Sequence, residues 1–154
     1  MSTAVKSDEA RSLSEKRARK AAEEIHALDI AELIADRVKD TTALERALIG
    51  KLEAQREFAA QYTTMFPAGG DRRSEEFQVD TSVELKREEW CLGYGFHEKA
   101  VRRWCALLAA DDYGAKQQAI IKKCWELAEL WQAANYSSES NEWYTPAKYI
   151  GAGP

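Results

Sequence analysis

The chain has 154 residues, 45% hydrophobic and 31% charged, with a formal net charge of −4, a length that suits one domain with a sizeable core or a small domain with a long extension. The acidic balance counts against strong sequence-independent DNA binding, which depends on basic surface. No run of about 18 apolar residues occurs and the N-terminus carries no apolar export core, so neither a membrane helix nor export is expected, and the expected location is cytoplasmic.

In chain order, residues 1–10 are polar. Ser12 with Glu15 has the spacing of a capping box and predicts a helix to about Lys39. Its front holds Lys6, Arg11, Lys16, Arg17, Arg19 and Lys20, interleaved with Asp8, Glu9 and Glu15. That pattern suits a solvated face, or an arm for a phosphate backbone. Ile25, Leu28, Ile30, Leu33, Ile34 and Val38 recur at helical spacing and form the apolar stripe of this helix. Thr42 with Glu45 predicts the start of a second helix, whose stripe runs Leu44, Leu48, Leu52, Gln55, Ala59 and Tyr62. Residues 1–66 thus form a helical hairpin or one long bent helix. Each stripe needs a partner surface, and a second copy of the chain is the expected one, making a homo-oligomer.

Residues 67–80 read as a linker, opened by Pro67 and Gly69-Gly70. Residues 81–135 read as a helical domain with a helix-turn-helix-like element. Thr81 with Glu84 offers a cap, and Gly93-Tyr94-Gly95 a tight turn in which both glycines supply unusual backbone angles. His97 to Leu108 follows as a second helix, with Val101, Trp104, Cys105 and Leu108 inward and Lys99, Arg102 and Arg103 outward. Ala109 to Gly114 reads as a loop. A further helix from Lys116 to Asn135 carries the stripe Ile120, Cys124, Leu127 and Trp131. Residues 136–154 read as a flexible tail. No strand-period segment longer than a few residues occurs, so the expected class is all-α.

Motifs that carry chemistry are missing from this pattern. Cys91, His97, Cys105 and Cys124 supply zinc-type ligands, but without the paired spacing of structural sites. Reduced core cysteines are the expected state. There is no phosphate loop, dinucleotide fingerprint or nucleophile elbow. His97 beside Glu98 is better read as the first turn of a helix than as an acid–base pair. No catalytic residue, no cofactor and no metal is expected, and the chain does not read as an enzyme.

Asn141-Glu142-Trp143-Tyr144-Thr145-Pro146, with Tyr149-Ile150 after it, resembles the NEWYTP motif of phage-type DNA N6-adenine methyltransferases. Loosely, Gly69-Gly70-Asp71-Arg72-Arg73 and the Gly93 to Trp104 element also resemble the helical region that precedes the motif in some of those proteins. In that family the motif leads into the fold that binds S-adenosylmethionine. The cofactor loop and catalytic motif would lie beyond Ile150, where this sequence reads Gly-Ala-Gly-Pro. The resemblance therefore implies an accessory helical region of phage or mobile-element origin, and methyl transfer is not expected of these residues.

Two partner classes follow, together with a plain structural oligomer as a third reading. In the first, the chain is a DNA-associated module that contacts DNA weakly through Lys99, Arg102, Arg103, Arg72 and Arg73. In the alternative, it is a viral inhibitor of a host nuclease complex such as a CRISPR effector. Glu75, Glu76, Glu84, Glu88 and Glu89 would then occupy a basic nucleic-acid channel. From Asp71 to Arg103 there are seven basic and eight acidic residues, a sum of −1.

Overall fold

The computed structural model describes the backbone of residues 3–67 and 81–140, and the side chains of 8–67 and 84–134. Arg72, Arg73, Glu75, Glu76 and the Asn141 to Ile150 motif lie outside the described residues. The fold is all-α, as expected, and no strand occurs among the described residues. The elements are α1 (Thr3–Val38), α2 (Thr41–Met65), α3 (Thr81–Gly93), α4 (Glu98–Trp104), a 3₁₀ turn (Cys105–Leu108) and α5 (Ala110–Ser140).

Helices α1 and α2 pair as a hairpin, the first of the two arrangements expected. The reversal between them is a Schellman turn. Lys39 takes the left-handed conformation (φ 62°), Asp40 N–H donates to the Ala35 carbonyl at 2.9 Å, and Lys39 N–H donates to the Asp36 carbonyl at 3.3 Å. Asp40 then caps α2, accepting from Ala43 N–H at 3.0 Å. The cap is therefore Asp40 and not Thr42, because its short carboxylate reaches the free amide two residues earlier. Likewise α1 does not start at Ser12; it runs unbroken from Thr3.

The core side of α1 takes only part of the expected stripe. Ala18, Ala21, Ala22, Ile25 and Ala35 are buried, while Ile30, Leu33, Ile34 and Val38 are 58–68% exposed. Small side chains let α1 and α2 approach closely, and the bulky residues are left on the opposite face. On α2 the expected stripe holds, with Leu44, Leu52, Ala59 and Tyr62 buried.

Two apolar clusters result. In the larger one, Phe58 of α2 is fully buried among aromatic rings from α3 to α4: Trp90, Tyr94, Phe96 and Trp104, at centroid distances of 4.9 to 6.1 Å. Residues of the hairpin and of 90–105 thus share one core. The smaller cluster joins Ala35 and Leu44 to α5 through Ile120, Cys124, Leu127 and Trp131, the expected α5 stripe. Two boundaries of α5 differ from expectation. It begins at Ala110, where Asp111 and Asp112 suit the positive end of the helix dipole, so Ala109–Gly114 is not a loop. Its backbone continues through Ser140, so the segment after Asn135 starts as helix.

The α3–α4 turn repeats the Schellman geometry. Phe96 N–H donates to the Cys91 carbonyl at 3.0 Å and Gly95 N–H to the Leu92 carbonyl at 2.9 Å. Of the two turn glycines only Gly95 has positive φ, at 92°. A Cβ there would sit 2.9 Å from His26 Nε2, whereas one on Gly93 would meet nothing within 4 Å. The two positions should therefore respond oppositely. Gly95→Ala is expected to destabilise by more than about 1 kcal/mol, and Gly93→Ala to be neutral or stabilising by up to about 1 kcal/mol. Urea midpoints of the two variants check this.

Candidate functional site

Lys99, Arg102 and Arg103 all lie on α4. His97 caps this seven-residue helix, its Nδ1 accepting from Lys99 N–H at 3.2 Å. Glu98 follows and is buried, with 6% of its surface exposed. Tyr62 Oη donates to Glu98 Oε2 at 2.5 Å, and Arg102 Nε donates to the same oxygen at 3.0 Å. Arg102 also lies 3.7 Å from Glu84 of α3. A carboxylate this buried needs such partners, since leaving it bare costs several kcal/mol. All three basic residues predicted for one face are exposed, and Arg102 also pairs with Glu98 within α4 and with Glu84 of α3.

The inward side of this segment also differs from expectation at its end. Val101 is fully buried and Trp104 half-buried, but Leu108 is exposed and Leu107 takes the core position. The chain tightens to 3₁₀ at Cys105, where three residues complete a turn, so the inward series runs Val101, Trp104, Leu107. The Leu107 carbonyl accepts from Arg56 Nε at 3.1 Å, and Arg56 lies 4.6 Å from the Tyr113 ring centroid.

The outer face of α3 has a different character. Leu85 and Leu92 are 56% and 61% exposed and stand two helical turns apart. At 100° per residue, Glu84 and Glu88 fall on one side of this leucine pair and Glu89 on the other. All three glutamates are exposed. Helix α3 is held with this face outward because Arg87, Trp90 and Cys91 turn toward the core. Only the exposure of both leucines, which a helical wheel does not reveal, makes the face distinct.

Beside it, a cleft of about 470 Å³ lies between α1 and α3, lined by Glu15, Arg19, Glu23, His26, Glu89 and Tyr94 among others. His26 Nε2 donates to the Tyr94 carbonyl at 2.8 Å and its ring stacks on Phe96 at 4.8 Å. This histidine is a packing and turn-holding residue. The cysteines are free: Cys91 and Cys124 are buried in different clusters, and Cys105 is half-buried. Among the described residues no three potential metal ligands come together. Nor is any helix among them long and apolar enough to cross a membrane.

Burial and the Glu98 carboxylate push the Tyr62 phenol well above its ordinary 10.0. Burial, then Glu98, pushes the Cys91 thiol from 9.0 up to about 12. Both groups therefore keep their protons in the fold at a pH where the unfolded chain loses them. Their contribution to stability is complete below about pH 9 and is lost as pH rises beyond it. The urea midpoint should be level from pH 7 to 9 and fall steadily toward pH 11. Tyr62→Phe should start lower and fall less steeply, since its hydrogen bond is gone but so is one of the groups that titrate there.

Comparison of the chain with protein-family models, curated proteins and solved structures finds no match.

Proposed function

We propose that this protein acts by binding rather than by chemistry, as an accessory protein that docks the outer face of α3 on a basic, nucleic-acid-binding surface of a host nuclease complex. The observation that carries this is the exposed Leu85–Leu92 pair flanked by Glu84, Glu88 and Glu89. Carboxylates at this spacing suit a surface built to hold phosphates, and two desolvated leucines would supply the apolar centre of the contact. The net charge of −4 steers the same kind of encounter. The phage or mobile-element origin rests on the NEWYTP resemblance.

A DNA-associated role draws support from the exposure of Lys99 and Arg103. Against it stand the engagement of Arg102 by two glutamates and the carboxylates of α3 beside it, which repel phosphate. The test is capture of host proteins by the tagged chain from nuclease-treated lysate, with Glu88→Lys/Glu89→Lys as the control. The reading expects a nucleic-acid-binding complex held by wild type and lost by the variant. A complex lost on nuclease treatment, with a wild-type shift of duplex DNA at about 50 mM salt, would overturn it in favour of DNA.

A further inference from the structure

The outer face of α1 is laid out symmetrically, and at Glu23 it borders the α1–α3 cleft. Ile30, Leu33, Ile34 and Val38 are exposed on the side opposite the alanine seam. Glu23 and Arg37 lie on the same outer side, each seven residues from Ile30, one toward each end. Both are exposed, and no ion pair or hydrogen bond to either occurs among the described residues.

We infer that two copies of the chain pair antiparallel along this face, about a two-fold axis at Ile30. A two-fold contact must be self-complementary. With Ile30 on the axis, Ile30 meets Ile30, Leu33 meets Ala27 of the other copy, and Glu23 meets Arg37 twice. Apolar side chains then fill the centre and opposite charges close both ends. Any parallel arrangement would set Glu23 near Glu23 and Arg37 near Arg37. The four apolar residues expose on the order of 400 Å² per copy, about half the area of a standard interface. The dimer is accordingly weak, in the micromolar to tens-of-micromolar range by order of magnitude. It differs from the expected oligomer, which used the stripes of both N-terminal helices, because the α2 stripe is spent inside the monomer.

Sedimentation equilibrium of the full chain over roughly 5–200 μM brackets such an affinity. Wild type should pass from monomer to dimer. Glu23→Arg and Arg37→Glu should each weaken the dimer about tenfold or more, by setting like charges opposite. The double variant Glu23→Arg/Arg37→Glu should return to within about threefold of wild type, since it exchanges the two ends of both pairs. Ile30→Cys should oxidise to a covalent dimer, as two cysteines on the axis come within disulfide reach, while Val38→Cys should not. All these positions are exposed, and circular dichroism verifies that each variant stays folded. A wild-type monomer throughout the range would overturn the inference, as would a double variant no better than the single ones. Val38→Cys cross-linking as readily as Ile30→Cys would overturn the register. The Ile30→Cys and Val38→Cys results, at positions outside the α1–α3 cleft, do not bear on the α3 face.

Discussion

Phe58→Ala should lower the unfolding free energy by about 3–5 kcal/mol, a large part of what a domain this size holds. The side chain is fully buried, and its ring is the hub on which Trp90, Tyr94, Phe96 and Trp104 converge. Three of these contacts are edge-on, the arrangement that places a positive ring edge against a negative face. Removing the ring forfeits its transfer energy and leaves a void that the surrounding rings, fixed by the α3–α4 Schellman turn and the Tyr62–Glu98 bond, cannot close. Phe58 also joins the hairpin to residues 90–104, so its loss should loosen α3 and α4 first. Near-ultraviolet dichroism should fall with the urea midpoint. Trp125→Ala, at a position 66% exposed, should change stability by no more than about 0.5 kcal/mol. Equal losses at the two positions would contradict this packing.

The second large effect is on binding. Glu88→Lys/Glu89→Lys changes the α3 face by four charge units while leaving the Arg102 pairings with Glu84 and Glu98 intact. Both glutamates are exposed, so stability should stay within about 0.5 kcal/mol of wild type. Against a basic partner surface, attractive pairs become repulsive ones. Affinity should fall about 100-fold, equivalent to about 2.7 kcal/mol, with much of the loss in the association rate. Wild-type binding should weaken as salt rises, and the variant's residual binding should depend on salt far less. Binding equal to wild type would show that this face is not the one used.

Some of this was legible in the sequence for physical reasons, and some was not. The α2 and α5 stripes were readable because leucine, isoleucine and tyrosine there face neighbours of ordinary size. The α1 stripe was readable as a stripe, but periodicity marks a helix with two distinct faces without saying which is inward. Close helix pairing selected Ala18, Ala21 and Ala22, and the bulkier Ile30 and Leu33 went outside. Glu98 read only as part of the first turn of a helix, because the partner that accounts for its burial, Tyr62, is 36 residues away. Local spacing carries no mark of such a bond. Gly95 and Gly93 looked equivalent, and only the position of Gly95 just beyond the end of α3 separates them. The leucine–glutamate face of α3 was half visible: the glutamates stood out as charge, while the outward orientation of Leu85 and Leu92 depended on which residues the aromatic cluster takes in.

The central claim is that α3 competes for a surface built to hold nucleic acid. The most direct measurement is release of a captured partner by DNA. The tagged chain is loaded with its partner from nuclease-treated lysate, then challenged with increasing single- and double-stranded DNA at fixed ionic strength. The account predicts that DNA displaces the partner in a dose-dependent way, because the phosphates and the glutamates of α3 occupy the same basic surface. Partner retention unchanged by DNA at any concentration, or a partner captured only when DNA is present to bridge the two, would contradict it.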